Sequence, residues 1–258
     1  QTVDSLGSRF GLQSVTTASP LIAKFLKNNF PELKVRASVN MGIGTCQGMD
    51  YLADYFDEFY LQREQNRNWA AIRDLRQWCG ENGKTLFALA NSGCLNYCSA
   101  HTFHDNLVAH EAEIAAMDNA YDFPGICREY AARPEKRISL IRDASFIRPE
   151  DLFLYEGLFP AVKLATRVHS DPARVLRAYC AGKSAGSVLG LLEPDHTGLL
   201  YPELLENSRF PKNFGETVLH CGKNCAECGY CARVYDSVRI RLPGEEAVGM
   251  EPLDDLKG

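Results

Sequence analysis

The chain has 258 residues, of which 45% are hydrophobic and 24% are charged, and its formal net charge is −5. This composition is typical of a globular protein, and the negative charge excludes a global attraction to nucleic acid, although a local basic patch leaves nucleic-acid binding open. No apolar run approaches the roughly 20 residues of a membrane-spanning helix, and no secretion signal opens the sequence, so we expect a cytoplasmic protein without membrane contact.

Short β-rich runs alternate with helical stretches along the chain. Strands are predicted over residues 12–17, Val35–Asn40, 58–62, Thr85–Ala90, Ile138–Arg142 and 161–165. Helices are predicted over residues 20–29, 68–79, 150–155, 171–181 and 201–207. Such alternation indicates a parallel sheet covered by helices. The sequence therefore predicts an α/β fold, a TIM-type (β/α) barrel or partial barrel with a cysteine-rich C-terminal segment.

The predicted strands divide the chain into two regions. Residues 1–170 are assigned to the barrel, and residues 171–258 to C-terminal helices with a cysteine-rich metal-binding segment. Because a closed barrel needs about eight strands and six are recognisable, we expect N-terminal strands to be missing or supplied by another chain. A protein partner or a homo-oligomer follows from that expectation. The acidic segment from Pro243 onward is expected to be poorly ordered.

Four of the ten cysteines fall within eleven residues near the C-terminus. These tail cysteines, as we call them, are Cys221, Cys225, Cys228 and Cys231. In a cytosolic chain, clustered cysteines bind metal more often than they form disulfides. The Cys-x-x-Cys-x-x-Cys run resembles that of ferredoxins and predicts an iron–sulfur cluster, most simply 4Fe-4S. A Cys₄ zinc site and unligated thiols are the alternatives.

A second motif follows the predicted strand that ends at Ala90. Cys94 and Cys98 are followed by His101 and His104. In a barrel this is the carboxyl end of a strand, where active sites lie. We expect Cys94 and Cys98 to be cluster ligands, with a histidine as ligand, acid/base group or anion-binding group. The alternative is a loop with two free thiols and two solvated histidines.

Basic residues lie on or just after three predicted strands. They are Arg63, Arg67, Arg142, Arg148, Lys163 and Arg167. Positive groups at barrel strand ends would bind a carboxylate or phosphate, so an acidic small-molecule cosubstrate is expected. A surface salt bridge is the alternative for any single residue. Lys163 differs because a charge inside an apolar strand needs a partner or a function.

The remaining cysteines are isolated in the sequence. Cys79 and Cys180 lie in predicted helices and are interpreted as small core residues, whereas Cys46 and Cys127 receive no role. For the clustered cysteines we predict that the tail returns over the active face and that two tail cysteines join Cys94 and Cys98. The competing arrangement is a self-contained site formed by the tail cysteines.

Two segments resemble the collagenase-like U32 peptidase family. Residues 161–170 are similar to that family's Leu-Lys-Ile-Glu-Gly-Arg-x-Lys-Ser stretch, with Thr166 in place of its glycine. The run Tyr60-Leu-Gln-Arg63-Glu64 falls where the family has Arg-Glu-Leu. The resemblance implies a TIM-like barrel and, in several members, a four-iron cluster used for oxygen-independent hydroxylation of RNA bases or in ubiquinone synthesis.

The resemblance therefore implies an iron–sulfur-dependent enzyme that hydroxylates, or performs related redox chemistry on, a small molecule or an RNA base. The expected catalytic residues are Arg63, His101, His104, Lys163 and Arg167. A U32-type peptidase and a non-catalytic iron–sulfur partner subunit are the alternatives. No His-Glu-x-x-His helix or Gly-x-Ser-x-Gly turn supports a hydrolase directly.

Overall fold

The computed structural model describes residues 2–118 and 125–242 as a mixed α/β protein. Five parallel strands form one sheet whose order follows the chain. They are β1 (Ser14–Thr17), β2 (Lys34–Ala37), β3 (Glu58–Tyr60), β4 (Thr85–Leu89) and β5 (Val162–Lys163). A separate antiparallel pair consists of β6 (Glu203–Leu205) and β7 (Arg239–Arg241).

Helices occupy much of the chain between these strands. In chain order they are α1 (Thr2–Phe10), α2 (Pro20–Asn29), α3 (Cys46–Asp50), α4 (Trp69–Glu81), α5 (His101–Ala109), α6 (Glu111–Ala116), α7 (Ile126–Ala132), α8 (Ser139–Arg142), α9 (Pro172–Ala181), α10 (Phe214–Leu219), α11 (Cys225–Cys228) and α12 (Tyr230–Val238). Short 3₁₀ helices cover Val39–Met41, Arg63–Arg67, Pro134–Lys136, Pro149–Tyr155, Leu189–Leu191, Thr197–Leu199 and Asn207–Arg209. Within the described residues, none of the helices has the length and apolar character to cross a bilayer.

The five-stranded sheet is part of a parallel barrel. Each strand pairs in parallel with the next, for example through Val15 with Val35 and through Ala88 with Val162. This order brings all five carboxyl ends to one edge. The predicted partial barrel is confirmed in these strands. Because β1 and β5 each pair on one side, the described sheet is open.

The helices that flank the sheet begin where the sequence predicts. The Ser19 side chain accepts a hydrogen bond from the Ile22 amide at the start of α2, and Asn68 accepts one from the Ala71 amide at the start of α4. These side chains satisfy amide groups that the first helical turn leaves unpaired. Pro20 suits the first position of α2 because that position needs no amide donor.

The two faces of the sheet have different partners because side chains alternate along a strand. Phe59 and Leu61 point to the helix-covered core, whereas Tyr60 between them belongs to the opposite face. Buried members of the helix-covered core include Ala23, Leu26, Val35, Phe59, Ile72 and Leu75. The opposite face carries a smaller apolar group of Val39, Tyr60, Phe87 and Leu89. This opposite face is therefore the inner side of the partial barrel.

A second core joins the C-terminal helices to the end of the sheet. Its buried members include Leu140, Phe146, Leu189, Phe214, Val234 and Val238. Val175 and Tyr179 of α9 belong instead to the first core, so the chain after residue 170 contributes to both. The division into domains at residue 170 stays a prediction.

Two predicted elements are wrong. Residues Ile138–Arg142 do not form a strand, because Ser139–Arg142 is helix α8, closed by a bond from the Arg142 amide to the Ile138 carbonyl. A short apolar run fits a buried helix as well as a buried strand, and periodicity cannot separate them. Residues 201–207 do not form a helix, because β6 pairs with β7 far along the chain, and such pairing overrides local propensity.

Smaller differences concern element ends. The second predicted strand stops at Ala37, because Ser38 caps the 3₁₀ helix Val39–Met41. The predicted helix at residues 150–155 is of the 3₁₀ type over Pro149–Tyr155. The segment from Pro243 onward, predicted to be poorly ordered, lies outside the described residues.

Candidate functional site

Polar side chains from three strand ends meet at the carboxyl edge of the sheet. Arg63 follows β3, Cys94 follows β4 and Asn40 follows β2. The guanidinium of Arg63 is buried, and it donates from Nη1 to Sγ of Cys94 over 3.1 Å and from Nη2 to Oδ1 of Asn40 over 2.8 Å. Together with His101 and Asp105 these residues form what we call the strand-end site.

The Cys94 thiol experiences opposing electrostatic effects. Burial raises its pKa, whereas the guanidinium of Arg63 and a hydrogen bond with Ser92 act to lower it. The net direction is upward, so the protonated thiol predominates at neutral pH. A metal ion or a proton acceptor is therefore needed for Cys94 to act as a thiolate.

A histidine–carboxylate pair completes the strand-end site. His101 is the first residue of α5, and its Nε2 lies 3.1 Å from Oδ2 of Asp105, one turn later. Burial lowers the pKa of His101, and the positive charge of Arg63 adds to that lowering. A neutral imidazole beside a carboxylate can take up or deliver a proton. Asp105 was not predicted from the sequence, although its i,i+4 spacing from His101 was a usable signal.

A third cysteine lies beside the strand-end site. Cys127, in the first turn of α7, interacts electrostatically with the thiols of Cys94 and Cys98, and burial raises its pKa to about 11. The structure thus corrects the interpretation of Cys127 as isolated. Sequence separation had concealed this interaction, because α7 is brought back to the strand ends only by tertiary packing.

Cations gather on the inner face of the sheet near the same edge. Nζ of Lys163 lies 5.5 Å from the ring centre of Tyr60. Burial lowers the pKa of Lys163, and Arg167 and Arg63 lower it further, while Glu193 opposes them. Lys163 therefore lies within electrostatic range of Arg167 and Arg63, an environment that favours an anionic ligand, and the binding role of these three cations stays a prediction.

Arg36 extends this inner-face group toward β2. Its guanidinium carbon lies 3.9 Å from the ring centre of Phe87, and its Nε donates to Glu58 over 2.7 Å. Because Glu58 already pairs with this guanidinium, Arg36 adds a stacked planar group to the inner face and is not itself a free cation for a ligand. Arg36 was not predicted as a site residue, because one arginine in a strand gives no signal of its own.

Three other predicted basic residues have structural partners instead. Arg148 is buried and forms two 2.8 Å bonds with the Asp151 carboxylate. Arg67 is buried and donates four hydrogen bonds to backbone carbonyl oxygens. Arg142 pairs with Asp143. The predicted position of Arg142 at a strand end is wrong, because α8 replaces that strand, whereas the part of these three arginines in anion binding stays a prediction.

The tail cysteines line one cavity of about 420 Å³ near the C-terminus. Cys221 precedes α11, Cys225 and Cys228 begin and end it, and Cys231 lies in the first turn of α12. Gly229 joins the two helices with a φ of 60°, a left-handed conformation that glycine adopts without strain. Arg142 and His220 also line the cavity.

The thiols in this cavity differ in exposure. Cys225 and Cys228 are exposed, whereas Cys221 and Cys231 are partly buried. Burial raises the pKa of Cys231, and the other three tail cysteines raise it further, while Arg67 opposes them. These interactions place all four thiols in one electrostatic neighbourhood.

Neither cysteine group is arranged as a finished metal site. Among residues 2–118 and 125–242, no three His, Cys, Asp or Glu side chains are positioned to hold a metal ion. Electrostatic interactions link Cys127 with Cys94 and Cys98, and Cys231 with the other tail cysteines. A cluster shared between Cys94, Cys98 and the tail stays a prediction, and so does the competing self-contained tail site.

These features define the class of molecule: an α/β protein built on part of a parallel barrel, with a polar site at the strand ends and a cysteine-lined cavity. No family model matches the chain. It is 28% identical over 240 residues to the Uncharacterized protease MJ1657 of Methanocaldococcus jannaschii. The alignment covers 88% of this chain and 66% of the relative, so the chain spans just under two thirds of that protein.

A solved structure is also similar. The U32 peptidase Mk0906 matches with a TM-score of 0.42 and 18% identity, over 63% of this chain and 58% of the other. A likeness at that TM-score carries no argument about function. The Methanocaldococcus jannaschii relative is named a protease, and the family that the sequence resembles is also one of peptidases.

Proposed function

We propose that this chain is an iron–sulfur-dependent enzyme related to the U32 family. The observation that carries the proposal is that four cysteines share one cavity of about 420 Å³. Four thiolates are the usual ligand set of a four-iron cluster, and two of these thiols are accessible for assembly. Zinc is the alternative occupant of the same four-sulfur set.

The donor set and its surroundings fit such a cluster. Arg142, at the cavity wall, supplies positive charge beside thiolate ligands, and Ile138 and Tyr230 supply apolar cover. Limited solvent exposure and nearby charge set a cluster's potential. When bound, the cluster would supply one-electron chemistry, in keeping with oxygen-independent hydroxylation or a related redox reaction.

The strand-end site and the inner-face cations would bind the substrate. Lys163 and Arg167 would hold a carboxylate or phosphate through charge-assisted hydrogen bonds, and Arg63 would orient the group that reaches the strand ends. His101, paired with Asp105 at 3.1 Å, would move a proton at Nε2. His104 would assist at the same face. These roles suit an acidic small molecule as the substrate, and they are also compatible with a nucleotide base.

The proposal is tested by iron and sulfide analysis of anaerobically purified protein. We expect about four irons and four sulfides per chain, with visible absorption. Cys228→Ala should remove most of both, whereas Cys180→Ala, at an exposed cysteine of α9, should remove neither. Retention of full iron and sulfide in Cys228→Ala would contradict the tail assignment.

Cys94→Ala separates the two predicted arrangements. A self-contained tail cluster keeps its absorption in this variant, because its ligands all lie in the tail cavity. A cluster shared with Cys94 and Cys98 loses its absorption.

A peptidase is the second candidate, because the relative that covers most of this chain is named a protease. The strand-end site offers a cysteine beside a guanidinium and a histidine–carboxylate pair, which are the group types of cysteine hydrolases. Incubation of the iron-free protein with denatured substrate proteins, followed by mass spectrometry, tests this function. Cleavage that disappears in Cys94→Ala and persists in Cys180→Ala would favour the peptidase.

A further inference from the structure

A cavity of about 720 Å³, within the size range of small-molecule sites, lies on the helix-covered side of the sheet. It is bounded by α4 and by residues 157–160, which lead into β5, and it reaches Thr85 at the start of β4. The strand-end site lies beyond the other end of β4, and none of its residues lines this cavity. The α4 cavity, as we call it, therefore has no part in the function proposed above.

Apolar side chains form the walls of the α4 cavity, and other contacts hold them in place. Trp69 and Phe159 line the cavity and pack against the helix-covered core. The ring centre of Trp69 lies 5.5 Å from that of His220, and the ring of Phe159 stacks on Tyr155 with 6.3 Å between the centres. The walls are therefore formed without a ligand, as they are in most small-molecule sites.

The α4 cavity is elongated along its helix. Its lining residues on α4 begin at Trp69 and end at Gly80, which at the rise of an α-helix is a distance of about 16 Å. Gly80 leaves one wall open, because a Cβ there would meet nothing within 4 Å. A long, narrow space of this kind suits a straight alkyl chain.

The charged groups at the α4 cavity are cationic. Arg73, Arg76 and Lys84 line it, and among residues 2–118 and 125–242 no carboxylate does. Arg73 pairs with Asp74, and Lys84 donates to two backbone carbonyl oxygens over 2.6 Å and 2.8 Å. Arg76 has no carboxylate within 4 Å in the described parts of the chain. Arg76 is therefore the cation that is available to an anionic ligand.

We propose that the α4 cavity binds a straight-chain carboxylate of the fatty-acid class. The alkyl body would lie along Trp69 and Phe159, where its removal from water supplies the favourable free energy. The guanidinium of Arg76 would hold the carboxylate through two parallel hydrogen bonds, a geometry that a single free guanidinium provides. This ligand is separate from the substrate of the strand-end site.

Calorimetric titration of the full wild-type chain with decanoate tests the proposal. We expect one saturable site per chain. Decan-1-ol has the same body without the charge and should bind more weakly by about tenfold, the value of one charge-assisted hydrogen bond. No saturable binding of decanoate, or equal affinities for the two probes, would overturn the proposal.

The role of the guanidinium is tested by Arg76→Gln. This variant should bind decanoate about tenfold more weakly and decan-1-ol as the wild type does, because only the charged head loses its partner. Arg177→Gln, at an exposed arginine of α9, is the matched control and should change neither affinity. Unchanged decanoate affinity in Arg76→Gln would contradict the assignment.

A blocking variant locates the ligand. Gly80→Leu places a side chain in the α4 cavity without a clash, since a Cβ at Gly80 meets nothing within 4 Å, and leucine favours the helix more than glycine does. It should abolish decanoate binding while the circular dichroism spectrum stays native. Gly7→Leu in α1, where a Cβ is equally free, should leave binding intact. Undiminished binding in Gly80→Leu would overturn the proposal.

Trp69 reports on the cavity directly. Trp78 is the other tryptophan of the chain, so in Trp78→Phe all tryptophan emission comes from Trp69. Decanoate should shift this emission to shorter wavelength, because the alkyl chain displaces water from the ring. A variant that binds decanoate with unshifted emission would contradict the location.

A second copy of the chain is the competing occupant of the α4 cavity. Sedimentation would then show a wild-type dimer that becomes a monomer in Gly80→Leu, without decanoate binding in either protein. That result would overturn the proposal.

Discussion

At the scale of single residues, the arginines separate into those with complete structural partners and those at the proposed site. Arg67 and Arg148 are buried with complete sets of local acceptors, whereas Arg63 donates to a cysteine and an amide at the strand ends. Sequence position alone did not distinguish them, because Arg63 and Arg67 belong to the same 3₁₀ helix. The direction in which each side chain leaves that turn decides its role.

Arg67→Met should destabilise the protein by about 3 kcal/mol or more, because it leaves buried carbonyl oxygens without donors. Those oxygens belong to Ile141, Ala144 and Phe146. The measurement is urea unfolding at neutral pH. Arg73→Met, at an exposed pair with Asp74, is the matched control and should change stability by less than about 1 kcal/mol. Equal midpoints for the two variants would contradict the role of Arg67.

Lys163→Met should raise the denaturant midpoint at pH 7 by a small amount, because Lys163 is exposed and solvent screens much of its electrostatic cost. Burial and neighbouring cations lower the pKa of Lys163 in the folded protein, so its charged form is disfavoured there relative to the unfolded chain. The loss of folding free energy caused by the charged Lys163 is fully present below its folded-state pKa. It disappears as pH rises past the ordinary lysine pKa of about 10.4. The difference between variant and wild type should therefore shrink from pH 7 toward pH 10.5. A difference that grows with pH would contradict this sign.

At the scale of elements, the loop after β4 is fixed by a neighbouring segment. The Gly93 amide donates to the Glu193 carbonyl over 3.0 Å, and Ser92 forms a parallel bridge with Glu193. Nε2 of His196 lies 3.1 Å from the Gly93 carbonyl. These contacts hold the backbone directly before Cys94, so the position of that thiol depends on residues about a hundred positions later.

Gly93→Ala should destabilise the protein by about 1–3 kcal/mol, as overpacking of a buried position does. A Cβ at Gly93 would overlap the backbone oxygen of Pro194, which cannot rotate away. The control is Gly80→Ala in α4, where the new methyl meets nothing within 4 Å. That change should stabilise the helix by about 0.5–1 kcal/mol. Thermal unfolding of both variants gives the comparison, and a neutral Gly93→Ala would refute the close packing of this loop.

At the scale of the whole molecule, the tail is part of the fold and not an appendage. Val234 and Val238 of α12 are buried in the core that also contains Leu140 and Phe214. The tail cavity is walled by residues from α8, α10 and α12. Occupation of that cavity is therefore coupled to the stability of the C-terminal half of the protein.

Removal of iron should lower the free energy of unfolding. A ligand that binds only the folded state at a thousand times its dissociation constant stabilises by about 4 kcal/mol. Anaerobic calorimetry before and after iron chelation should show a lower transition temperature for the iron-free chain. Cys228→Ala should show no difference between the two preparations. An unchanged transition in the wild-type protein would argue against a bound cluster.

The sequence by itself determined the parts of this protein that depend on local signals. Pro20 after Ser19 marked the start of α2, and the spacing of Ile72, Leu75 and Cys79 gave α4 its buried face. The order of strands and helices gave the parallel half-barrel, because chain order and handedness leave few alternatives for such alternation. The short spacing of the tail cysteines likewise indicated that several of their thiols face one centre.

Only the tertiary structure decided features that depend on distant residues. It made Ser139–Arg142 a helix, paired β6 with β7, and brought Cys127 within electrostatic range of Cys94. The physical reason is the same in each case. Local propensities differ by about 1 kcal/mol or less per residue, whereas burial of a large apolar side chain contributes about 1.5–3 kcal/mol, and burial depends on which distant segments meet.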